Sequence, residues 1–119
     1  MRWRTGAALL SIAFAPVALA AGDGARGRKL YETRCTACHS IDADRVGPRH
    51  RGLIGRRAGS VAGFDYSPAL RAATLVWNEP TLDRWLADTE ATIPGQKMNY
   101  RVAAARDRAD LIAYLATAR

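Results

Sequence analysis

A chain of 119 residues, 49% hydrophobic and 24% charged, predicts one small soluble domain with no room for a second. The net charge of +7 does not point to nucleic acid, because the arginines are scattered and are not set on one helix face with aromatics between them. A disulfide between the only two cysteines would close too short a loop to constrain much.

The first 20 residues stand apart. Arg2 and Arg4 precede a run of 15 apolar or small residues, Gly6 to Ala20, which ends in Ala18-Leu19-Ala20. This pattern predicts a secretory signal peptide over 1–20, cleaved after Ala20. A retained membrane anchor fits less well, since the run is shorter than the ~20 apolar residues of a spanning helix and Pro16 interrupts it. Removing it takes two of the 18 basic residues and none of the 11 acidic ones, leaving a domain of 21–119 with charge +5.

Asp23 is placed to cap a helix starting near Gly24, its carboxylate accepting from unpaired backbone donors. Gly27, Leu30, Tyr31 and Arg34 share one face of that helix. A glycine within a helix costs up to ~1 kcal/mol, so Gly27 implies a close approach by another element. The helix runs into Cys35-Thr36-Ala37-Cys38-His39. From Ser40 to Gly63, glycines at 47, 52, 55, 59 and 63 with Pro48 predict a long loop, a length uncommon unless functional. Ser67 and Pro68 open a short helix to about Ala73, and Asn78 opens another whose apolar face is Leu82, Trp85 and Leu86, fading near Asp88. Thr92 to Met98 reads as a turn. A last helix spans roughly Ala104 to Ala118, with Leu111, Tyr114, Leu115 and Ala118 at helical spacing. No strand pattern or internal repeat stands out, so the fold class expected is all-α.

The pentapeptide Cys35–His39 has the spacing of a c-type haem attachment site. Each thiol can add to one haem vinyl group, and the histidine that follows can ligate the iron. A large flat apolar group would also complete the core of a domain that is marginal at this size. Zinc would need four ligands, and only one further histidine exists. A thioredoxin-like dithiol would need a βαβ setting, which is absent. For the second axial position the mature chain offers Met98 or His50, unless the site is open. Met98 lies 59 residues after His39, enough chain to reach the opposite face, and Pro94-Gly95 can turn it inward. A thioether donor would raise the reduction potential. His50 lies 11 residues from His39 inside the loop, which favours the proximal side or a place near the surface. Haem propionates need donors or cations when buried, and Arg56, Tyr66 and Trp77 are the candidates.

On these residues the chain resembles the class I cytochromes c, in the branch that holds mitochondrial cytochrome c and its soluble bacterial relatives. The resemblance covers residues 22–117. It implies a small cytochrome c fold, with Gly27–Tyr31 crossing Asp110–Leu115 and short helices and loops wrapped round one covalent haem c. It further implies that the Pro48 carbonyl accepts from His39, that Arg56, Tyr66 and Trp77 sit near the propionates, and that Ile93–Met98 carries the methionine ligand. His50, Trp85, Gln96 and Glu90 depart from the branch's usual residues.

The function expected is that of a periplasmic one-electron carrier with His39 and Met98 as axial ligands and no catalytic residues. It would shuttle electrons between respiratory or dehydrogenase partners, such as a reductase, oxidase or dehydrogenase, that present acidic docking patches. Arg34 and Lys97, with Arg101 nearby, would ring the haem edge. The alternatives are a dedicated haem subunit of an oxidoreductase complex, or a haem enzyme with an open distal site, for which the chain offers no acid–base pair. No nucleic acid and no membrane span after cleavage are expected.

Overall fold

Five helices account for the regular structure: α1 Gly24–Arg34, α2 Pro68–Ala72, α3 Glu79–Ala87, α4 Thr89–Thr92 and α5 Ala105–Thr117. The computed structural model describes residues 1, 11–14 and 22–119, so most of the predicted leader over 1–20, with its cleavage site, lies outside the described residues. Among those described, no helix is long and apolar enough to cross a membrane.

The helix starts follow from side chains that satisfy unpaired backbone donors. The Asp23 carboxylate accepts from the amides of Ala25 and Arg26, the Ser67 hydroxyl from Leu70, and the Asn78 side chain from Thr81. Thr81 returns the favour by accepting the Asn78 amide, a reciprocal cap that fixes where α3 begins. The fade of α3 at Asp88 matches expectation. The turn expected over Thr92–Met98 is present, with Pro94-Gly95 at its tip and Gln96 N–H donating to the Ile93 carbonyl; what was not expected is the short α4 before it, where Asp88 both ends α3 and caps α4 through Oδ1 to the Ala91 amide. Four residues carry no readable period, so only the cap could have signalled α4.

α1 and α5 pack across each other, and Gly27 is the reason they can. A Cβ on Gly27 would overlap the Asp110 carbonyl oxygen and come within 3.0 Å of the Tyr114 Cβ. The element whose close approach Gly27 implied is α5, and the tightest contact is with its backbone. Tyr31 packs on Tyr114 with ring centroids 5.3 Å apart. Asp110, 3% exposed, accepts from the Asp23 amide at 2.7 Å and from Arg26 at 2.6 Å. Arg26 above all, then that amide, holds the Asp110 carboxyl below its usual range.

No ladder of strands forms among the described residues, but one isolated antiparallel bridge joins Arg57 to Val76. Around it Gly55 N–H donates to the Trp77 carbonyl, Trp77 N–H to that of Arg56, and Ala58 N–H to that of Leu75. This pins the long loop against the segment before α3 and sets Arg56 beside Trp77. The buried core gathers Tyr31, Leu53, Ala58, Trp77, Leu82, Trp85, Leu86, Ile93, Val102, Leu111, Ile112 and Leu115. It lines one side of a large internal cavity.

Candidate cofactor site

The cavity has a volume of about 350 Å³ and is walled by apolar side chains from every helix except α4. Leu53 of the loop, Leu70 of α2, Leu82, Trp85 and Leu86 of α3, and Leu111 and Leu115 of α5 all face it. Such a space within the segment 22–119 is too large to be a packing fault and is of the size that holds ligands.

The eight residues expected to hold the cofactor line this one cavity, Cys35, Cys38, His39, Pro48, Arg56, Tyr66, Trp77 and Met98, and so does His50. α1 delivers the first three. Its last turn continues through Cys38 N–H and His39 N–H, both donating to the Cys35 carbonyl, so the two thiols and the imidazole leave one tight turn together. The cysteines are not bonded to each other, with Cys35 half-buried and Cys38 exposed. Burial raises the Cys35 thiol above its ordinary value.

His39 is 8% exposed, and its Nδ1 lies 3.1 Å from the Pro48 carbonyl. A carbonyl can only accept, so Nδ1 carries the proton. Burial lowers the His39 pKa, opposed by that bond, and keeps the ring neutral. The Nε2 lone pair is then the free one. Gly47 packs so closely on this ring that any Cβ there would overlap it. The Gly47 amide in turn donates to the Cys38 carbonyl at 2.8 Å, tying the loop to the attachment turn.

His50 stacks on His39, ring centroids 4.1 Å apart and planes 21° apart. Its Nδ1 is 2.9 Å from the Tyr31 hydroxyl. Burial, with help from His39 and Arg56, pushes its pKa down to about 3, so the ring is neutral at physiological pH. The sequence favoured the proximal side or a place near the surface for His50 but offered no sign of the tie to Tyr31, since only folding brings α1 and the loop together.

The three polar candidates keep capacity towards the cavity. The Tyr66 hydroxyl accepts from Val61 N–H at 3.0 Å, which leaves its own proton to donate. Arg56 gives two nitrogens to the carbonyls of Arg49 and Arg51, so it is anchored in the loop with Nε uncommitted. Trp77 is 6% exposed and packs on Trp85 with ring centroids 5.4 Å apart.

The arrangement fits a covalently tethered macrocycle. It provides two thiols, a neutral imidazole with its outer nitrogen tied back, a thioether, an apolar wall and hydrogen-bond donors. Among the described residues no group of three or more His, Cys, Asp or Glu could hold a bare metal ion.

The expected edge charges are placed differently from one another. Lys97 is exposed beside Met98. Arg34 is turned inward: Nε donates to the Tyr100 hydroxyl at 2.9 Å, and Nη1 lies 3.6 Å from Asp107. Arg101 is 3.2 Å from Asp88.

Comparison with known proteins agrees with this geometry. The family model for cytochrome c matches residues 24–119. The chain is 45% identical over 98 residues to cytochrome c 2.1 of Caenorhabditis briggsae, covering 80% of this chain and 88% of that protein. It is 40% identical over 116 residues to cytochrome c2 of Rhodomicrobium vannielii, covering 94% and 90%. The solved structure of cytochrome cH from Methylobacterium extorquens superposes with a TM-score of 0.77 at 38% identity, over 81% of this chain and 99% of that one.

Proposed function

We propose that this chain, which belongs to the cytochrome c family, is an exported one-electron carrier whose iron is held between His39 and Met98. Proteins of the family carry one covalently bound haem c and are electron carriers, not enzymes. When bound, that group supplies a ferric–ferrous couple of one electron.

The chain's own residues do the rest. Cys35 and Cys38 tether the macrocycle from a turn fixed by its own backbone bonds. Pro48 orients His39 through Nδ1, which raises the basicity of the ligating nitrogen. Met98 supplies a neutral thioether, which favours the ferrous state and raises the potential. Arg56, Tyr66 and Trp77 donate to the propionates, lowering the cost of burying two negative charges. The observation that carries this reading is convergence: two thiols, an oriented imidazole and the only methionine of 21–119 line one apolar cavity.

Export rests on the leader. Its basic start, apolar run and Ala18-Leu19-Ala20 end support cleavage to a 21–119 domain in the periplasm. The match to the Rhodomicrobium cytochrome c2 spans 94% of the chain and so extends beyond residues 24–119. The partners are redox proteins with acidic docking patches, met through a small transient interface. With Arg34 paired internally, Lys97 is the free cation next to the site among the three predicted.

Protein purified from the periplasm tests each part. Its mass is expected to correspond to a chain starting at Ala21 with one haem attached. The ferric form should show a weak long-wavelength sulfur-to-iron band, and reduction by a dehydrogenase should slow with added salt. A ferric spectrum without that band, at low potential, would remove Met98 from the iron. A salt-independent rate would remove the charged docking face.

A further inference from the structure

Residues 94–99 carry Met98 without belonging to any helix or strand. Their hydrogen bonds nonetheless converge on one carboxylate outside the site. Glu90, exposed on α4, accepts Gly95 N–H on Oε1 at 2.9 Å and the Gln96 Nε2 on Oε2 at 3.0 Å. Gln96 is 5% exposed. Its Nε2 also donates to Asn99 Oδ1 at 2.6 Å, and its Oε1 accepts Asn99 N–H at 2.8 Å. Asn99 has φ +46°, the only positive φ outside glycine among the described residues. The backbone therefore reverses directly after Met98, and the Gln96 amide locks the reversal.

We propose that Glu90 and Gln96 are positioning residues, a carboxylate–amide clasp that brackets Met98 and holds its thioether in place against competing ligands. The proposal rests on the Met98 ligation proposed above. A thioether is a neutral, weak donor and cannot order a loop by its own bond to iron. The loop must be ordered by other contacts, so that the sulfur is held close at little entropic cost. The clasp holds Gly95 and Gln96 before Met98 and Asn99 after it, with no bond to Met98 itself. The sulfur stays free while its backbone does not. Glu90 has no other bond to make: α4 is already capped by Asp88, and both Glu90 oxygens are spent on the loop. The Gln96 amide, then Gly95 N–H, holds the Glu90 carboxyl below its usual range, so both bonds are made to a charged acceptor, the stronger kind. Gln96 is buried, so water cannot readily replace its partners.

The test is the rate at which cyanide displaces the sixth ligand of the ferric holoprotein, followed by loss of the sulfur-to-iron band. Glu90→Ala is expected to react at least ~tenfold faster, the change that would follow from losing even one of its two hydrogen bonds to a charged group. Its haem content and melting temperature should stay close to wild type. Asn99→Gly keeps the permissive backbone, removes the Oδ1 acceptor, and should shift the rate the same way. Glu32→Ala, which removes an exposed pair with Arg28 on α1, should leave it unchanged. Rates for Glu90→Ala and Asn99→Gly within about twofold of wild type would overturn the clasp. So would equal acceleration by Glu32→Ala. A wild-type protein lacking the band would instead refute the ligation on which the clasp depends.

Discussion

Replacing Met98 by alanine is expected to abolish the sulfur-to-iron band and to lower the reduction potential on the order of 0.2 V, a quarter of the ~0.8 V that axial ligation spans. A thioether on the iron would stabilise the ferrous state, and alanine would offer nothing in its place. The fold should survive. Met98 is only half-buried and packs against the margin of the core, and the segment around it keeps its own hydrogen bonds through Gln96 and Asn99. His50→Leu provides the matched comparison. The His50 ring is stacked on His39 and bonded to Tyr31, which commits it to the His39 side of the cavity. The band should therefore persist in His50→Leu. Its disappearance there, or its persistence in Met98→Ala, would overturn the assignment of the distal ligand.

Gly27→Val should be the most damaging single change to stability. Overfilling a packed site costs about 1–3 kcal/mol where side chains can adjust. Here the obstacle is the Asp110 carbonyl, which is backbone within α5 and cannot swing aside. We expect a loss of at least ~3 kcal/mol, a fall in Tm of roughly 12–24 °C for a domain of this size. Separating α1 from α5 would also strip cover from Tyr31, Leu111 and Ile112, each under 5% exposed. Gly24→Ala is the control, since a Cβ there meets its nearest atom, in Ala113, at an ordinary 3.7 Å. A Gly27→Val protein melting within about 5 °C of wild type would refute the close approach.

What could be read in advance was local. Asp23, Ser67 and Asn78 announced their helices because a cap is chemistry between neighbours in sequence. Gly27 announced an approach because nothing within its own helix needs a glycine. The pentapeptide announced its cofactor because three functional groups fall within five residues. α4 escaped because four residues carry no period. The bridge that sets Arg56 beside Trp77 escaped too, because it joins segments about 20 residues apart with no strand pattern in either. The orientation of Arg34 was not legible either. Its position suggested an exposed charge, but Tyr100 and Asp107 arrive from the far end of the chain and claim it. Likewise Glu90 stands out in sequence only as a departure from the branch's usual residue, and only the folded loop reveals what its two oxygens hold.

The crossing of α1 and α5 joins residues as far apart as Asp23 and Asp110, a separation of 87 positions. Closing so long a circuit is a slow search, yet its entropy grows only with the logarithm of its length, about 0.6 kcal/mol for each doubling. A few residues gained or lost between Ser40 and Gly63 thus barely alter what closure costs. The loop's length is set by what it delivers to the cavity, Gly47, Pro48 and Arg56, and not by closure, whereas the two helices that fasten the circuit must keep their register turn for turn.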